Sequence, residues 1–117
     1  MEQILFSALM DGFIKAAQEY SVYRVPLSQS VWNDSKFSEA NKSANKELVP
    51  YYIGSTGLSV DARFAKHKAG VKHNKYVKDY GKGVSQESKH STWDLAHAAE
   101  KALASKLRSE GHPVYQK

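Results

Sequence analysis

Arg63 and His67 stand four residues apart in the stretch VPYYIGSTGLSVDARFAKHKAG, residues 49–70. On a helix this spacing leaves them about 40° apart on one face. A guanidinium and an imidazole held together suit two jobs, neutralising an anionic oxygen and handling a proton. The same pair equally suits a plain basic surface. Tyr23 and Tyr52 lie in two apolar stretches that should flank this helix. A phenol beside positive groups is expected to lose its proton more readily, because those charges favour the phenolate. Ordinary strand packing accounts for each tyrosine as well.

A fifth residue is out of place. Glu100 projects to within about 60° of Trp93, Ala96, Leu103, Ala104 and Leu107 on a helix of about 3.6 residues per turn. It therefore sits inside the apolar stripe of that helix. A carboxylate is costly to strip of water and is rarely buried alone. The candidate partners are a metal ion, Arg63 or a lysine; otherwise the side chain bends out to solvent.

These groups need elements to position them. Residues 2–20 read as an amphipathic helix, with Ile4, Leu5, Ala8, Leu9, Phe13, Ala16 and Tyr20 at helical spacing. Residues 21–27 have strand character, and Pro26 suits an edge or strand end. Residues 28–47 are rich in Ser, Asn and Lys and read as a long polar insertion pinned by Trp32 and Phe37. Residues 48–53 form the second strand, and Gly54 is read as the first residue of the tight turn 54–57. Ser59 and Gly70 cap a helix over 60–69. A short helix follows at 73–80, then a loop over 81–90. A long helix spans 92–110, capped by Ser91 or Thr92 and stopped by Gly111 and Pro113. Residues 113–116 are a short terminal strand. The fold expected is an α/β sandwich, a small three-stranded and mostly antiparallel sheet flanked by helices, in a single domain over 1–117.

Composition bounds the function classes. The chain has 117 residues, 41% hydrophobic and 25% charged, which fits one folded domain with one small core. It has no cysteine, which removes disulfides and thiolate metal sites and suits a reducing, cytoplasmic setting. No apolar run approaches the ~18 residues of a membrane span. No basic leader precedes a long apolar run, so no secretory signal is expected. Residues 1–59 carry five basic and six acidic side chains, net −1, whereas 60–117 carry twelve and six, net +6. Arg63, Lys66, Lys68, Lys72, Lys75, Lys78 and Lys82 fall within 63–82 against a single acid, Asp79. Such a cluster suits a polyanion, or else a solvated lysine-rich helix. The five histidines are too scattered for a zinc signature.

SVY at 21–23 and YIG at 52–54, followed by Arg63, His67 and the helical Glu100, resemble the GIY-YIG nuclease superfamily over roughly 21–116. The segment 99–116 is similar to the Glu-bearing helix and terminal strand of some members. The resemblance implies a metal-dependent endonuclease that hydrolyses phosphodiester bonds, with DNA expected ahead of RNA. It implies that Tyr23 helps activate the attacking water and that Tyr52 lines the scissile phosphate. Arg63 would neutralise the phosphate, and His67 would position or deprotonate Tyr23 or its water. Glu100 would hold one Mg2+ or Mn2+ ion, and Lys66, Lys68, Lys72, Lys75 and Lys78 would grip the backbone without reading sequence. Three features depart from the family pattern. Ser21 replaces the first glycine, 28 residues separate Tyr23 from Tyr52, and no asparagine follows Asn74. His112 or Gln116 is left to stand in for that asparagine, and the insertion must loop out. A stand-alone domain of this size also suits a homodimer or an accessory protein. The other classes in view are a non-catalytic nucleic-acid-binding module on the same fold and a protein-interaction domain.

Overall fold

A computed structural model describes residues 18–116. Strand β1 spans Tyr20–Pro26, β2 Tyr51–Thr56, β3 Ser85–His90 and β4 Val114–Gln116. Helix α1 spans Ser35–Ala40, α2 Val60–Ala69, α3 Lys75–Tyr80 and α4 Trp93–Ser109, with a 3-10 turn at Gln29–Asn33. The four strands form one sheet in the order β3-β1-β2-β4. β1 runs antiparallel to both β2 and β3, and β4 joins β2 in parallel. The architecture is thus a mixed α/β fold with a four-stranded sheet flanked by helices.

Alternation along the strands sorts side chains between two faces. Tyr23, Val25 and Tyr52 pack with Phe37, Tyr76 and Val77 from α1 and α3. Val22, Ile53 and Val114 pack with Ala96, Ala104 and Leu107 of α4. Two core clusters therefore lie on the two faces of one thin sheet.

The helix ends follow their capping chemistry. Ser59 accepts a hydrogen bond from the Ala62 N–H, and Gly70 closes α2 in the left-handed region at φ 83°. Thr92 accepts from the Leu95 N–H at the start of α4. Asp34 accepts from the Phe37 N–H at the start of α1.

Several sequence expectations are corrected. Residues 28–47 do not loop out: Val31 and Phe37 are buried in the core. Asn41, just past α1, donates to the Phe37 carbonyl and accepts from the Val114 N–H, fastening the insertion to β4. Residues 81–90 contain β3, so the sheet has four strands where three are expected. Its sequence SQESKH lacks apolar alternation because it is an exposed edge strand. β2 begins at Tyr51, not at 48, and runs on through Thr56. Gly54 is therefore a strand residue, not a turn. The expected helix over 2–20 lies outside the described residues except at its end, where Tyr20 opens β1.

Candidate active site

The pairing register sets Tyr23 directly opposite Gly54, with Tyr52 two residues before it on the same face. A Cβ at position 54 would lie 2.8 Å from the Tyr23 hydroxyl oxygen and 3.0 Å from the Tyr52 ring. The glycine is needed because two phenol rings close over its backbone. Their centroids are 6.1 Å apart.

His67 reaches into this group from α2. It is fully buried, and its Nε2 lies 3.0 Å from the Tyr23 hydroxyl. Its Nδ1 accepts the backbone N–H of Asn74 at 2.9 Å. The Tyr52 ring meets His67 edge-on at 5.6 Å and stacks on Tyr115 at 5.9 Å. The Tyr52 hydroxyl is buried and makes no hydrogen bond of ordinary geometry among the described residues, although it interacts with the Tyr23 hydroxyl.

Burial, the largest influence, pushes the Tyr23 phenol up from its ordinary value, and Arg63's positive charge only partly offsets this. Burial also raises Tyr52, and the neighbouring Tyr23 adds to that. Arg63 thus favours ionisation of Tyr23 as expected, but desolvation of the anion outweighs the cation's attraction, so the phenol is not made easier to deprotonate. Arg63 is half-buried, and its guanidinium donates to the Lys72 carbonyl at 2.7 Å.

Glu100 stands on the other face of the sheet. It is 1% exposed, as its helical phase requires. Its partners are neutral, not a lysine or arginine: Ser55 donates to Oε1 at 2.8 Å and the Gln116 amide to Oε2 at 2.5 Å. His97 Nδ1 is 3.9 Å from Oε1 and has no hydrogen-bond partner among the described residues. The negative charge of Glu100 is still felt at Tyr23 and Tyr52, where it opposes ionisation. Of the two stand-ins for the missing asparagine, Gln116 is the one beside Glu100; His112 donates to the Val49 carbonyl instead.

Glu100 is the candidate ligand for a hard cation, but it is 1% exposed and both its oxygens already accept hydrogen bonds from Ser55 and Gln116. A buried carboxylate without a basic counter-charge lies beside an imidazole nitrogen that lacks a partner. The described residues hold no cluster of three or more His, Asp or Glu, so water and phosphate oxygens would complete the shell of a Mg2+ ion there.

The lysines divide. Lys68 donates to the Lys78 and Gly81 carbonyls, and Lys75 pairs with Asp34 at 2.7 Å, so both are engaged within the fold. Lys78 lies 3.9 Å from Asp79, whereas Lys66 and Lys72 extend into solvent. A cleft of about 320 Å³ opens nearby between Lys36, Phe37, Asn74, Lys75, Tyr76 and Tyr115.

Tyr23, Tyr52, His67 and Gly54 are thus brought together, with Arg63 at their edge and Glu100 across the sheet. Ser55, Asn74 and His97 were not picked out by the sequence. Alternation from Ile53 places Ser55 on the α4 face, His97 lies one turn from Glu100, and Asn74 is the N-cap of α3. No family model, curated protein or solved structure matches the chain.

Proposed function

We propose that the chain is a metal-dependent endonuclease of GIY-YIG type that hydrolyses phosphodiester bonds, with DNA as the expected substrate. The observation that carries this reading is the hydrogen bond between Tyr23 and His67, 44 residues apart, packed against Tyr52 over a side-chain-free Gly54. The proximity of these tyrosines, the glycine and the helical histidine supports the motif reading.

In this reading Arg63 balances charge on the non-bridging phosphate oxygens. Tyr23, protonated and oriented by His67, holds the attacking water or a phosphate oxygen through its hydroxyl. Tyr52 shapes the wall behind it. Glu100, with His97 beside it and across the sheet from Tyr23, would hold the divalent ion, which when bound would supply Lewis-acid stabilisation. Lys66 and Lys72, exposed among the described residues, would offer their ammonium groups to the polymer backbone. A second copy or an accessory protein would supply whatever sequence preference exists.

The near-complete burial of Tyr23, Tyr52 and His67 favours a second reading, a non-catalytic nucleic-acid-binding module in which this group is core. Incubating plasmid and single-stranded DNA with Mg2+ or Mn2+, beside Glu100→Ala and Arg63→Ala, separates the two. An endonuclease cleaves, and each folded variant loses about 100-fold or more of its rate. Salt-sensitive binding with no cleavage under either metal supports the binding module. An intact substrate and no binding removes both.

A further inference from the structure

Both ring nitrogens of His67 face specified neighbours, and their roles follow from what those neighbours can offer. Nδ1 receives the backbone N–H of Asn74 at 2.9 Å. An amide nitrogen has only its proton to give, so Nδ1 presents its lone pair and carries no hydrogen. In a neutral imidazole the proton then sits on Nε2. Nε2 is the atom 3.0 Å from the Tyr23 hydroxyl oxygen. We infer that His67 is a fixed hydrogen-bond donor to Tyr23 and not the base that takes its proton.

The alternative arrangement conflicts with its surroundings. For Nε2 to accept the phenol proton it must first present a lone pair, which puts the imidazole proton on Nδ1. That proton would face the Asn74 N–H, two donors opposed at a fully buried ring. The loss of one hydrogen bond and the repulsion of two like dipoles both act against it.

The lock is built by the chain between α2 and α3. Gly70 ends α2 in the left-handed region, and the backbone turns back to Asn74. The Asn74 side chain caps α3 by accepting from the Tyr76 N–H, while its own backbone N–H fixes the His67 tautomer. Asn74 is thus a positioning residue that acts through His67. The Tyr23 oxygen accepts from His67, so its own proton points away from the imidazole. The catalytic consequence rests on the endonuclease reading; the tautomer does not.

The direct test is nitrogen-15 spectroscopy of the full-length protein with labelled imidazole rings at neutral pH. The expected spectrum shows His67 with a proton on Nε2 and none on Nδ1. A proton on Nδ1, or on both nitrogens, overturns the inference. A second arm uses cleavage by His67→Gln and His67→Leu. The glutamine amide offers a donor in place of Nε2 but cannot take a proton. His67→Gln should keep activity within about tenfold of wild type while His67→Leu loses about 100-fold or more. A folded His67→Gln no better than His67→Leu contradicts the donor role. If the wild type cleaves nothing, the endonuclease reading falls, and the spectrum still decides the tautomer.

Discussion

The two faces of the sheet bury polar groups in opposite ways. On the α2–α3 face, two phenols and an imidazole are packed among aromatic rings, and the Tyr52 hydroxyl makes no hydrogen bond of ordinary geometry among the described residues. On the α4 face a single carboxylate, Glu100, is surrounded by aliphatic side chains yet has donors on both oxygens, with only the neighbouring His97 Nδ1 making no hydrogen bond among the described residues. A well-satisfied buried acid fits a structural role as comfortably as a functional one. A buried hydroxyl without a well-formed hydrogen bond, such as that of Tyr52, is destabilising. On the endonuclease reading the α2–α3 face is where function would outweigh stability, and mutations on it test that reading.

The largest stability effect is expected at Phe37, which walls that face from the insertion. Phe37→Ala should cost about 3–5 kcal/mol, read from denaturant unfolding. A loss below about 1 kcal/mol would mean that the insertion is a detachable loop. Gly54→Ala comes next. Its methyl group meets the Tyr23 hydroxyl and the Tyr52 ring inside contact distance, and overpacking of this kind costs about 1–3 kcal/mol. The same substitution should reduce cleavage by displacing Tyr23. The smallest effect is expected at Tyr52→Phe, which removes the Tyr52 hydroxyl. It should leave stability unchanged or raise it by up to about 1 kcal/mol, with cleavage reduced. A clear destabilisation would show that this hydroxyl is bonded in solution and would weaken the contrast between the faces.

Much of the scaffold was legible where chemistry is local. Ser59 and Gly70 fix the ends of α2 because their caps depend on neighbouring backbone alone. The burial of Glu100 was readable from helical phase. Its partners were not, since Ser55 and Gln116 arrive from β2 and β4 through sheet pairing that no local pattern encodes. The tripeptide Gly54-Ser55-Thr56 has turn composition yet forms strand, because its small side chains are what the crowded sheet between two packed helical layers can hold. β3 was missed because an exposed edge strand carries no apolar alternation. Among the site residues, the meeting of Tyr23 with His67 was expected. The protonation of that pair was not, because desolvation is a property of the folded surroundings and not of residue type.

The measurement that bears most directly on the central claim is cleavage by Tyr23→Phe, compared with its own stability. The substitution leaves His67 Nε2–H without its acceptor and should cost about 1–3 kcal/mol, leaving the fold intact. With the variant shown to be folded, the account predicts a loss of about 100-fold or more in phosphodiester cleavage. Cleavage at the wild-type rate by folded Tyr23→Phe would contradict it and return the tyrosine–histidine pair to the core.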